Sequence, residues 1–266
     1  MKISLITVNL NNLDGLRHTF ESVVRQSCRS FEWIVIDGGS TDGSREFVES
    51  NRHLFSSYCS EPDGGIYEGM NKGIARAAGD YVLFLNSGDT LAADNVLAQA
   101  SALMGEADIY VGAIARKGEG STIMELPCPN LASPDDVVDK LLFSAFPHQG
   151  VFLRRALFDR YGPYDTRFRI AADWCHNVRA LISGNASVAA LPFVVAVFDT
   201  SGVSSAHPQR MYAERARFLS EYPSLNVLCN FYVQNVELSR TMRSNRLFFA
   251  VVRLMFYLKR RFPKIF

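Results

Sequence analysis

Three short apolar runs, each ending in polar or acidic turn residues, constrain this chain more than any other feature in it. Ile3 to Val8 runs into Asn9, Trp33 to Ile36 into Asp37-Gly38-Gly39, and Tyr81 to Leu85 into Asn86-Ser87-Gly88-Asp89. Continuous apolar runs of this length predict strands buried on both faces, as in the centre of a parallel sheet. Between them Leu13, Leu16, Phe20, Val23 and Val24 recur at helical spacing, and Ser40-Thr41-Asp42 supply capping side chains ahead of Phe47 and Val48. A short run near Tyr58 predicts a further strand. Pro62-Asp63-Gly64-Gly65 reads as a turn, and Ile66, Met70 and Ile74 as one face of a helix that ends near Gly79. Such alternation predicts an α/β fold, a Rossmann-type, mostly parallel sheet flanked by helices. In open sheets of this kind ligands bind beyond the carboxyl ends of the strands, which is where Asn9, Asp37 and Asp89 fall.

The rest of the chain is less regular. A strand is expected at Ile109 to Ala113, then a Gly-rich loop at Lys117-Gly118-Glu119-Gly120. Pro147-His148-Gln149-Gly150 precedes a short apolar run, Val151 to Leu153, and Asp173 opens a helix with Trp174, Val178, Leu181 and Ile182 on one face. Val194 to Phe198 is a further strand candidate. Helices are expected over Arg210 to Leu219 and Val227 to Leu238. This division gives a domain over 1–205 and a helical C-terminal extension over 206–266. The extension ends in an apolar stretch from Leu247, interrupted by Arg253 and followed by Lys259-Arg260-Arg261. That stretch is shorter than the roughly 20 residues needed to span a bilayer. Two readings of it stay open: a helix lying at a membrane interface through 247–266, and a helix docked on the core or on a partner chain.

Composition narrows the function. The 28 Lys and Arg nearly balance the 27 Asp and Glu of the 266 residues, so no global basic field points to nucleic acid. Five scattered cysteines without a C-x-x-C pair, and an N-terminus without signal-peptide features, predict a cytoplasmic protein with reduced thiols. No G-x-x-x-x-G-K-[ST] occurs and no G-x-G-x-x-G follows the first strand, which argues against P-loop ATPases and dinucleotide dehydrogenases. A sugar-nucleotide nucleotidyltransferase would need a Gly-rich, basic loop near the first strand, yet Thr7 to Asn12 holds no Gly, Lys or Arg. An acidic cleft suits a phosphate ligand when a divalent cation lies between them, so the strand ends predict a metal and a nucleotide.

Three blocks then carry a resemblance: Ser4-Leu5-Ile6-Thr7-Val8-Asn9-Leu10-Asn11, Val35 to Gly43 (VIDGGSTDG), and Leu83 to Asp89 (LFLNSGD). Together, in this order, they resemble family 2 of the inverting glycosyltransferases, which have the GT-A fold. Asp63 to Gly73 is similar to that family's helix entrance, and the chain looks most like bacterial enzymes of colanic-acid-type exopolysaccharide assembly. The resemblance implies an inverting transfer of one sugar from a nucleotide-diphosphate-sugar to a hydroxyl, with a saccharide or lipid-linked saccharide as acceptor at the inner face of the cytoplasmic membrane. It implies a nucleotide site of Thr7, Asn9, Asp37, Asp63, Lys72, Ser87 and Gly88. Asp89 would hold Mg²⁺ or Mn²⁺, although the motif carries one carboxylate where the family has two. Asp173 would be the base, with Ala172 standing in a neighbouring position that is often Glu.

Structural roles compete with several of these. Asp42 and Asp173 are good helix caps. Lys72 is also readable as a solvated helix residue, and Trp174 and Tyr67 as core aromatics. His148 and Trp174 are candidate substrate contacts, and His207 a candidate for the metal or diphosphate. The competing function is a catalytically idle sugar-nucleotide-binding or scaffold protein of the same fold.

Overall fold

In the computed structural model, which describes residues 1–117, 123–126, 131, 141, 146–183, 186–199 and 208–221, the expected β–α alternation opens the chain. It runs β1 (Ile3–Asn9), α1 (Leu13–Val24), β2 (Phe31–Asp37), α2 (Ser44–Ser50), β3 (Ser57–Ser60), α3 (Ile66–Ile74) and β4 (Tyr81–Phe84). Then follow β5 (Thr90–Leu91), α4 (Val96–Leu103), β6 (Ile109–Lys117), β7 (Ile123–Leu126), a 3-10 turn (His148–Gly150), β8 (Val151–Arg154), α5 (Ala156–Tyr161), α6 (Ala172–Val178), β9 (Val188–Asp199) and α7 (Pro208–Ser220). The Gly118–Gly120 loop, His207, the helix expected over 227–238 and the 247–266 segment lie outside the described residues. No helix among the described residues is long and apolar enough to cross a membrane.

The described strands form one sheet in the order β3-β2-β1-β4-β8-β6-β9-β5, with β7 beside β6. The first four are parallel, as the alternation predicts. Beyond β4 the sheet is mixed: β8 runs antiparallel to both β4 and β6, while β6 and β9 are parallel. That switch lays the 3-10 turn at the start of β8 beside the carboxyl end of β4. The turn 148–150 and the turn 86–89 therefore meet.

Both sheet faces are buried, which is why the strands read as unbroken apolar runs. On one face Ile6, Val8, Ile36 and Phe84 pack with Met70 and with Phe168, Trp174 and Val178. On the other, Leu5, Trp33, Val35 and Leu83 pack with Leu16, Val23, Val48 and Leu97.

Helix α3 keeps Met70 and Ile74 of its expected face against the core, while Ile66 is 41% exposed; the buried side also takes in Tyr67, Gly69 and Gly73. A Cβ on Gly69 would come within 2.7 Å of Val8, and one on Gly73 within 2.4 Å of Ile6. The two glycines thus let α3 lie directly on β1, and that close approach fixes where Tyr67 stands.

Candidate active site

The carboxyl ends of β1 and β2 are tied by one carboxylate. Asp37 receives Asn9 Nδ2 at 2.9 Å and Ser40 Oγ at 2.5 Å on Oδ1, and Ser40 N at 2.9 Å and Ser60 Oγ at 2.7 Å on Oδ2. Burial alone would raise its carboxyl, but the bonds from Ser40, Ser60 and Asn9 outweigh burial and hold it below the usual carboxylate range. A carboxylate offers about four acceptor positions, and all are filled here at 0% exposure. Asp37 therefore has none left for a nucleotide base, and its work is to lock the 38–40 turn.

Asp63, half-buried, stands beside the 38–40 turn. Its Oδ1 accepts the Gly65 amide, and its Oδ2 lies 3.0 Å from the place a Cβ on Gly38 would take. Asp42 does cap, and it caps twice: Oδ1 accepts Ser44 N at 3.0 Å and Oδ2 accepts Leu13 N at 2.8 Å. Asn9 belongs to the Asp37 network.

Two other expected contacts are engaged within the chain. The Thr7 hydroxyl is fully buried and accepts the Trp33 indole N–H at 3.1 Å, because alternation places residue 7 on the Leu5 side of the sheet. Lys72 binds Glu61 at 3.0 Å and the Pro62 carbonyl at 3.1 Å, stapling the segment before Asp63.

The 86–89 turn follows β4. Ser87 N donates to Val8 O, Asn12 Nδ2 donates to Ser87 O, and Gly88 sits at φ 101°, a conformation that favours glycine. Thr19, on the buried side of α1, ties the turn from beneath: Gly88 N donates to its Oγ1 at 3.0 Å, and that hydroxyl lies 2.7 Å from the Asp89 carbonyl. Sequence reasoning passed Thr19 over, although a hydroxyl on the apolar face of a helix was an available signal. Asp89 is 6% exposed and accepts Gln149 Nε2 at 3.2 Å.

Asp173 completes the site from the other half of the chain. It is the second residue of α6 rather than its cap, which is Ala171. Its Oδ1 lies 2.8 Å from Tyr67 Oη and accepts Trp174 N at 2.8 Å, while His148 Nδ1 stands 3.5 Å from Oδ2. The other ring nitrogen of His148, Nε2, is 3.0 Å from Asn86 Nδ2. With the Asn86 amide donating to Nε2, Nδ1 carries the proton that faces Asp173.

Burial would raise the Asp173 carboxyl, yet the bond and charge of His148 and the Tyr67 hydroxyl hold it below its ordinary range. Burial would likewise depress His148, and Asp173 and Asp89 lift it above its ordinary range instead. The turn 148–150 thus reaches Asn86 and Asp89 with one hand and Asp173 with the other. Trp174, by contrast, is 2% exposed, donates its indole N–H to Leu141 O at 2.7 Å and is a core residue with no face for a sugar.

The Asp89 carboxylate is a hard oxygen donor, and Asn86 Oδ1 in the same turn is a buried oxygen without a hydrogen-bond partner. Among the described residues no group of three or more His, Cys, Asp or Glu gathers. This donor set fits a hard divalent ion such as Mg²⁺ or Mn²⁺ shared with phosphate oxygens and water, and gives no closed protein cage.

A Rossmann-type sheet with an acidic turn after β4 and a half-buried carboxylate facing it is the arrangement expected of the GT-A fold. Residues 4–162 match the family model described as glycosyl transferase family 2, and the chain belongs to that family. A PGL/p-HBAD biosynthesis glycosyltransferase of Mycobacterium bovis is 31% identical over 98% of this chain and 91% of its own length. Among solved structures, Staphylococcus aureus TarS 1-349 in complex with UDP-GlcNAc superposes with a TM-score of 0.67 at 21% identity, covering 85% of this chain and 67% of that one. The mannosyltransferase PcManGT of Pyrobaculum calidifontis, in complex with GDP-Man and Mn²⁺, gives 0.60 at 18% identity over 82% and 63%.

Proposed function

We propose that this glycosyltransferase moves one sugar from a nucleoside-diphosphate sugar to an acceptor hydroxyl with inversion, Asp173 serving as the base. The observation that carries this reading is the bridge from Asp173 through His148 and Gln149 to Asn86 and Asp89. A half-buried carboxylate, kept ionised and facing the turn that would hold the diphosphate, suits a one-step displacement. Asp173 takes the acceptor proton as the hydroxyl oxygen attacks the anomeric carbon, and the nucleoside diphosphate leaves on the opposite side. Tyr67 and His148 orient the carboxylate, and Asp63 with the 38–40 backbone meets the base. Asp89 would hold the divalent ion, which supplies countercharge to the departing diphosphate.

A lipid-linked saccharide acceptor in exopolysaccharide assembly, at the inner membrane face, belongs to the same proposal. Its support is the apolar and basic sequence of 247–266 and the biosynthetic name of the mycobacterial relative.

Calorimetric titration with UDP and GDP, each with and without Mn²⁺, tests the donor site. Tight, metal-dependent binding of one nucleotide is expected, and binding of neither overturns the reading. Asp173→Asn should bind that nucleotide like the parent protein while transfer falls by on the order of 10²- to 10⁴-fold. Normal turnover by the Asn variant removes Asp173 as base.

A further inference from the structure

The helix that opens the C-terminal extension reaches into the site. Glu214 of α7 is largely buried, and its Oε2 accepts the backbone amides of Ile170 at 2.8 Å and Ala171 at 3.1 Å. Those two residues lead directly into α6. Ala171 is the N-cap of that helix and has no capping side chain, so a carboxylate from elsewhere in the chain takes up amides at its entrance. Arg210 holds the other oxygen, Oε1, at 3.1 Å. The Ile170 carbonyl, on the same short segment, lies 2.8 Å from the Tyr67 hydroxyl that also faces Asp173.

The rest of α7 is fitted to the same place. The Arg215 guanidinium lies 4.9 Å over the Trp174 ring, next in sequence to Asp173, and Phe218 is fully buried with its ring 5.9 Å from both Phe168 and Trp174. On the opposite side of the segment Arg169 Nη1 donates to the Gly64 carbonyl, in the turn that carries Asp63. Residues 169–171 are therefore gripped between the turn before α3 and helix α7.

We propose that Glu214 is a positioning residue for Asp173: by binding the Ile170 and Ala171 amides it sets the start of α6, and so the place of the Asp173 carboxylate against Tyr67 and His148. The inference rests on Asp173 being the base. It makes the first helix of the extension part of the transfer machinery. A carboxylate displaced by about 1 Å from its productive position costs up to two orders of magnitude in rate.

The test compares Glu214→Ala, Glu214→Gln, Glu221→Ala and Asp173→Asn in the full chain. Glu221 pairs with exposed Arg167 near the end of the same helix and serves as the docking control. The first readout is the titration of the Asp173 carboxyl, followed by carbon-13 NMR and independent of turnover. Without Glu214 the carboxyl should titrate higher, because its contacts with His148 and Tyr67 loosen. Gln still accepts an amide, so Glu214→Gln should titrate like the parent, as should Glu221→Ala.

The second readout is nucleoside diphosphate release from UDP-GlcNAc and GDP-mannose with Mn²⁺. Glu214→Ala should lower kcat on the order of tenfold or more with donor KM unchanged, and Glu214→Gln should restore most of it. An Asp173 titration unmoved in Glu214→Ala overturns the proposal. So does a Gln variant as impaired as the Ala variant, or a Glu221→Ala variant that reproduces the shift. Full turnover by Asp173→Asn would instead sink the assignment of the base, a failure readily told apart from that of Glu214.

Discussion

Asp37 is buried and Asp173 half-buried, and both are held below the ordinary carboxylate range, but they are held in different ways. Asp37 draws four hydrogen bonds from three residues at the ends of adjacent parallel strands and in the turn that follows, so strand register brings them together. Asp173 is met by Tyr67 from α3 and by His148 from the turn before β8, two elements that strand register does not bring together. Its backbone segment is bound by Glu214 from α7. The first arrangement is redundant and set by neighbouring strand ends, and it supports structure. The second is sparse and assembled from a helix, a turn and the packing between them, so that single partners tune one carboxylate. Tuning of that kind suits chemistry.

This contrast can be broken most sharply at Asp37. Asp37→Asn keeps the shape but replaces one accepting oxygen with a donor facing Ser40 and Ser60 or Asn9, so we expect a loss of about 3 kcal/mol in stability, together with loss of nucleotide binding. Denaturant unfolding and calorimetry would measure both. A variant as stable as the parent would show that the network is not structural.

An effect confined to acid pH, and so smaller near neutrality, is expected beneath Asp173. His176, one turn further along α6, is stacked on Phe158 with ring centroids 4.6 Å apart, and burial, then the charge of Arg179, push its imidazole down to about 4. The folded chain resists a proton that the unfolded chain accepts near 6.5. Stability from this residue is therefore complete above that value and is lost as pH falls from there towards 4. The loss amounts to roughly 3 kcal/mol at its fullest. His176→Phe should flatten that part of the pH–stability curve while leaving the neutral-pH value within about 1 kcal/mol. An unchanged acid slope would place the sensitivity elsewhere.

The smallest effect sharpens the comparison at His148. Since His148 lowers the Asp173 carboxyl, His148→Gln should move the acid limb of the kcat profile upward in pH, whereas Ser60→Ala, which removes one of the four hydrogen bonds to Asp37, should leave that limb in place. Equal shifts in the two variants would erase the distinction between tuned and redundant carboxylates.

Much of the first region was legible in the sequence, since β1, β2 and β4 are apolar runs and their polar stops mark the site. The faces were less legible. A strand buried on both sides gives no alternation, so nothing local revealed that Thr7 turns to Trp33, and on α3 Ile66 left the stripe that Met70 and Ile74 keep. Lys72 read as a nucleotide contact or a solvated helix residue because its partner Glu61 lies on the preceding loop, outside helical spacing. Trp174 read as a platform because burial depends on α7 and Leu141, far away in sequence.

The sequence by itself determined the family, the parallel strands and the turns that end them, because apolar runs and turn residues act over a few positions. Tertiary structure alone decided which acids stay open and which are saturated. It alone brought Asn86 to His148 across 62 residues and Tyr67 to Asp173 across 106. Such meetings depend on how β8 enters the sheet and how closely α3 lies on β1, and no local periodicity records a contact made by two surfaces packing together.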